Sequence, residues 1–127
     1  MIISTPVSLG ELVDKISILH IKKMNIKDDE KLKLIRKELE LLNNTLNDHI
    51  KRDDIQKYLD SLIEINSKLW VIEDDIRDCE RNKIFDEKFI DLARSVYFTN
   101  DKRSEVKLEI NKKFGSTIVE IKSYEKY

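Results

Sequence analysis

Six polar side chains in the last third of the chain have the chemistry to bind an anion: Arg94, Tyr97, Asn100, Asp101, Arg103 and Lys107. Arg103 and Lys107 are one helical turn apart. The run Thr99-Asn100-Asp101 is dense in residues that cap helices, so one helix is expected to end there and another to begin. A helix N-terminus offers free amides and a partial positive charge, which suit phosphate or carboxylate. The competing role for these residues is capping with solvated charge.

A second set is acidic. Glu73, Asp74 and Glu80 belong to one helical segment, and Glu73 and Glu80 project roughly 60–80° from the centre of its apolar seam. Asn66 shares that side. Carboxylates at the edge of a core can hold a divalent cation such as Mg²⁺, or act as an acid/base pair. The plainer role is an i,i+4 ion pair between Glu73 and Arg77, with Glu80 capping a neighbouring helix end. A third set, Glu11 and Asp14, has the ExxD spacing by which all-α nucleotide pyrophosphohydrolases hold Mg²⁺ on paired helices. The resemblance is partial, because the double-glutamate motif of those enzymes is absent and the order is reversed. Glu11 also has a competing place in a capping box.

Other chemistries find no support. His20 and His49 lack ligand spacing, which argues against zinc. Cys79 falls on an apolar seam, as a core residue would. There is no Gly-rich phosphate loop and no GxSxG motif. The 24 basic and 25 acidic residues leave a formal charge of −1 and are interspersed, so no nucleic-acid face is expected. No apolar run is long enough for a bilayer, and Met1 to Pro6 does not read as a signal peptide. A single cysteine fits a cytoplasmic protein.

The elements that must position these residues read as helices. The chain is the length of one domain, 127 residues, with only two Gly and one Pro to interrupt it. Ser8-Leu9-Gly10-Glu11 has capping-box spacing, and Leu9, Leu12, Ile16 and Leu19 continue an amphipathic helix over about 9–25. Leu32, Ile35, Leu39, Leu42, Leu46 and Ile50 predict a second helix over about 30–50. Asp53 or Asp54 is the expected cap of a third, over about 54–82. Its seam runs Ile55, Tyr58, Leu62, Ile65, Leu69, Ile72, Ile76 and Cys79, and Ile63 and Trp70 form a second apolar face. At roughly 43 Å it would match or exceed the roughly 36 Å diameter of a compact domain of this size. It is therefore expected to be a central strut or a subunit contact.

A fourth helix is expected over about 86–99, with Phe85, Phe89, Leu92 and Val96 inward. A fifth follows over about 102–114, with Val106, Ile110 and Phe114 as its seam and Gly115 as its C′ glycine. Thr117 to Ile121 is β-branched and reads equally as helix or as a strand pairing with Ile2-Ile3.

Three segments together resemble one family: Gly10-Glu11-Leu12-Val13-Asp14-Lys15-Ile16, Leu69-Trp70 followed by Ile72-Glu73-Asp74-Asp75-Ile76-Arg77, and Leu92-Ala93-Arg94-Ser95-Val96-Tyr97 with Thr99-Asn100-Asp101 and Arg103. The chain is similar along almost its whole length to domain-of-unknown-function family 6165, small bacterial and phage proteins. That resemblance implies that the polar segments are family signatures, most of all Arg94, Asn100, Asp101 and Arg103. It implies no activity.

The fold expected is an all-α antiparallel bundle of four or five helices. Three functions follow from the residues. The first is a binding module for a small anionic, phosphorylated ligand at the junction of the fourth and fifth helices. The second is a Mg²⁺-dependent hydrolase of a nucleotide or sugar phosphate. The third is a structural coiled-coil protein, including a homo-oligomer.

Overall fold

The chain is all-α. In a computed structural model it forms α1 (Leu9–Asn25), α2 (Asp29–His49), α3 (Arg52–Arg81) and α4 (Glu87–Lys113). The structure describes residues 1–118 and 120–127. Among the described residues there is no strand, and 120–127 is neither helix nor strand. The part of the Thr117–Ile121 expectation that falls on Val119 lies outside the described residues.

Local chemistry sets most of the boundaries. Ser8 Oγ accepts the Glu11 amide at 3.1 Å, which opens α1 at the expected place. Only half of the capping box forms, because the Glu11 carboxylate turns instead to Lys107. Asp28 caps α2 through the Lys31 amide at 2.9 Å. The start of α3 differs from expectation: the N-cap is Lys51, without a side-chain bond, and Asp53 and Asp54 sit inside the first turn. Carboxylates there stabilise the helix through its dipole rather than by capping. Gly115 adopts φ 67° just past α4, and the Ser116 amide reaches back to the Asn111 carbonyl at 2.9 Å, closing the helix as a Schellman turn.

The main correction concerns the C-terminal third. The expected fourth and fifth helices are one 27-residue helix, α4, and Thr99-Asn100-Asp101 lies in its interior. Phe89, Leu92, Val96, Thr99, Arg103, Val106 and Ile110 keep alternating steps of three and four through the supposed break. The inward face of α4 is therefore never out of phase. Against that continuity, three residues of middling helix propensity cost only about 0.7 kcal/mol each.

The 30 residues of α3 make it the longest element, about 45 Å. The helix that packs on all three others, however, is α1, whereas α3 packs chiefly on α1 and α4. The core is built from Val13, Ile16 and Leu19 of α1, Ile35, Leu39 and Leu46 of α2, Ile55, Leu59 and Leu62 of α3, and Ile110 of α4. It gathers at one end of α3 and α4. Beyond it, Ile84, Phe85 and Ile90 at the α3–α4 turn are exposed, so Phe85 does not face inward as expected. Cys79 is buried, as its seam position implies. No helix among the described residues is long and apolar enough to cross a membrane.

Candidate functional site

Polar chemistry enters the interior where α1 meets α4. Gly10, Asp14 and Ser17 stand at steps of four and three on one face of α1, and all three are buried. Gly10 is there because nothing larger fits: a Cβ would stand 2.5 Å from the Lys107 carbonyl oxygen and 2.9 Å from Asn111 Oδ1. That closeness lets the Gly10 amide donate to Asn111 Oδ1 at 2.7 Å, while the Leu9 amide donates to Ser116 Oγ at 3.3 Å. With Glu11 bonded to Ser8, the amides that open α1 already have partners. This helix start is a joint with α4 and not an open anion site.

Asp14, 1% exposed, is the centre of the cluster. A carboxylate this deep requires full compensation. Asn66 Nδ2 of α3 donates to Asp14 Oδ1 at 2.9 Å and to Ser17 Oγ at 2.8 Å. Arg103 of α4 grips the same carboxylate in fork geometry, Nε to Oδ1 at 2.9 Å and Nη2 to Oδ2 at 2.5 Å. These bonds raise the guanidinium pKa above its ordinary value, against the effect of burial. One helical turn on, the Lys107 ammonium meets Glu11 at 2.8 Å, Glu120 at 3.1 Å and Asp14 at 4.0 Å. Burial would lower the Lys107 pKa. The bonds to Glu11 and Glu120, with the charge of Asp14, outweigh it and leave the group above its usual range. Two cations thus stand among three carboxylates.

Two open spaces flank the cluster and share Asn100 and Arg103 as their common wall. The first is a wide groove along α4 bounded by the tail 120–127, with Tyr97, Asn100, Asp101, Arg103 and Lys107 on its wall. The tail is tied down at Asp101, which bonds Lys122 Nζ at 3.4 Å and the Tyr127 hydroxyl. That bond lowers the Asp101 pKa and pushes Tyr127 up to about 12. The Tyr127 ring rests against Tyr97 and Phe98, with centroids 5.3 and 4.9 Å away. The second space is a cleft of ≈ 530 Å³ between α1, α3 and α4. Ile18, Ile21, Leu69 and Trp70 line it with Asn66, Glu73, Asp74 and Arg77.

Five of the six expected anion-site residues thus share one groove. The sixth, Arg94, lies over the Phe98 ring at 5.9 Å and lines neither space. The physical basis first given for that site is lost with the helix break, since Thr99 to Arg103 lie inside α4, where backbone amides bond within the helix. The acidic set divides. Glu73 and Asp74 line the cleft, with Glu73 bonded to Arg77 at 2.5 Å, whereas Glu80 lines neither space and pairs with Lys83 at 3.1 Å. Glu80 therefore does not join the other two around a cation. Among the described residues, no three His, Cys, Asp or Glu side chains are grouped to hold a metal. The ExxD pair of α1 holds Lys107 and Arg103 instead.

Ser17, Asn111 and Glu120 are the participants that sequence reasoning passed over. Ser17 and Asn111 had a readable signal. Polar residues recurring at steps of three and four beside an apolar seam, as in Asp14-Ser17 and Arg103-Lys107-Asn111, mark two faces that can meet. Glu120 had none, because its place depends on how the tail returns over α4.

No curated protein and no solved structure matches this chain. The family model of DUF6165, a family of unknown function, matches residues 3–127, so the chain belongs to that family.

Proposed function

We propose that the chain is a binding module for a small anionic ligand, held by Lys107 and Arg103 in the groove along α4. One observation carries this reading: the third carboxylate around Lys107 comes from the tail, with Glu120 only 3.1 Å from the ammonium. The anionic group of a ligand takes the place of Glu120 and keeps the Lys107 ammonium paired. Arg103 spends Nε and one N–H of Nη2 on Asp14, which leaves the second Nη2 hydrogen for the same ligand. Tyr97 and Asn100 supply a ring and an amide on the same wall.

Calorimetric titration with inorganic phosphate, AMP, glucose 6-phosphate and citrate tests the reading. Glu120→Gln removes the competing charge and is expected to tighten binding about tenfold, the worth of one charge-assisted hydrogen bond. If neither the natural chain nor Glu120→Gln gives heat with any of the four, the reading fails.

The Mg²⁺-dependent hydrolase keeps one point in its favour, that Glu73 and Asp74 share a cleft with Arg103. Among the described residues it lacks a third carboxylate there, and Glu73 is already paired with Arg77. A homo-oligomer would cover Ile84, Phe85 and Ile90 at the exposed end of α3 and α4. Sedimentation as a monomer would count against it.

A further inference from the structure

The cleft on the other side of Arg103 has a different character from the groove. Its charged walls are Glu73 and Asp74 against Arg77 and Arg103, which cancel, so it has no net charge with which to draw in an ion. Its volume, ≈ 530 Å³, is that of a small-molecule site. Trp70, the one tryptophan of the chain, lies half-buried on its wall beside the apolar side chains of Ile18, Ile21 and Leu69.

Three polar groups around the indole have bonding capacity to spare. Asn66 is 6% exposed and directs its Nδ2 at Asp14 and Ser17, and its carbonyl oxygen Oδ1 accepts no hydrogen bond among the described residues. Asp14 fixes the Arg103 guanidinium through Nε and Nη2, and Nη1 has no partner among the described residues. Asp74 is exposed and enters no ion pair among the described residues. An aromatic face bordered by two acceptors and a donor is the arrangement that suits a hydroxylated ring. The C–H face of such a ring packs on the indole, and its hydroxyls donate to Asp74 and Asn66 and accept from Arg103. A fully apolar ligand would leave those groups unpaired, and a polyanion would meet both Glu73 and Asp74.

We propose that the cleft beside Trp70 binds a neutral sugar ring. The site shares the wall of Asn100 and Arg103 with the groove along α4 but does not depend on an anion binding there.

Because Trp70 is the sole tryptophan, its emission reports the cleft directly. The full chain is titrated with glucose, galactose, mannose, rhamnose and N-acetylglucosamine. At least one is expected to give a saturating change in emission, weakened about tenfold in Asp74→Ala, the loss of one hydrogen bond to a charged group. Asp74 is exposed, so its truncation leaves the fold in place; Asn100→Ala, on the wall shared with the groove, is the second variant and is also expected to weaken binding. Glu120→Gln, which acts in the groove, is expected to leave the titration unchanged. No saturating change with any of the five sugars overturns the proposal, as does a midpoint that Asp74→Ala and Asn100→Ala both leave at the value of the natural chain. A sugar response without any phosphate response supports the cleft and removes the anion reading, and the reverse result does the opposite.

Discussion

Arg103 and Asp14 are 89 positions apart in the chain, yet the guanidinium holds the buried carboxylate through both Nε and Nη2. The pair joins α4 to α1 at the point where Asn66 adds α3. Removing one partner leaves the other charge, or its hydrogen-bonding groups, uncompensated. Arg103→Met is therefore expected to cost about 3–5 kcal/mol in urea unfolding. Arg103→Lys is expected to recover little, because an ammonium cannot reproduce the fork. A loss below about 1 kcal/mol for Arg103→Met would show that water compensates Asp14.

Gly10 tests the closeness of α1 and α4. Alanine in place of glycine within a helix ordinarily stabilises by about 1 kcal/mol. Here the added Cβ would meet the Lys107 carbonyl oxygen at 2.5 Å, and a backbone atom cannot swing aside. Overpacking of this kind costs about 1–3 kcal/mol. Gly10→Ala is thus expected to lower stability and to break the 2.7 Å bond to Asn111. A raised melting temperature would contradict this contact.

The continuity of α4 is open to a backbone test. Lys102 is exposed, so replacing it removes no packing. Were a helix to begin at that position, proline would be tolerated at its first turn. In the interior of one helix, proline deletes a hydrogen bond and clashes with the preceding turn, at a cost of about 3 kcal/mol or more. Lys102→Pro is expected to show the larger loss in chemical denaturation, and near-neutral behaviour would restore the helix break at Thr99-Asn100-Asp101.

His20 gives stability a pH dependence. Burial first, then the neighbouring cations Arg52 and Lys23, hold its pKa below the usual value. Its Nε2 is buried without a hydrogen-bond partner among the described residues. The unfolded chain therefore binds the proton more readily than the folded one. The stability contributed by neutral His20 is present above about pH 6.5 and is lost as pH falls from there through the depressed folded value. His20→Gln is expected to flatten that part of the profile, measured as the urea midpoint between neutral and mildly acid pH. An unaltered slope would assign the loss to other groups.

The apolar period determined much of this fold by itself. Steps of three and four from Leu9 to Leu19, Leu32 to Ile50 and Ile55 to Cys79 specify three helices, because each buries one face and each step is a local property of the chain. The same period runs through Thr99 and Arg103, so the unity of α4 was also legible in the sequence. Three adjacent residues of the capping type obscured it, since capping preference is a weak local signal and packing along α3 overrides it. The composition of the site was legible in part: Glu11, Asp14, Asn66, Asn100, Arg103 and Lys107 stand out as polar groups at the margins of seams. Only the tertiary structure decided which of them meet. Asp14, Asn66 and Arg103 converge because Gly10 lets α4 approach α1 to backbone contact, and Glu120 reaches Lys107 because the tail returns over α4. Distances between helices, unlike the period within one, are set by the shapes of side chains from segments far apart in the chain.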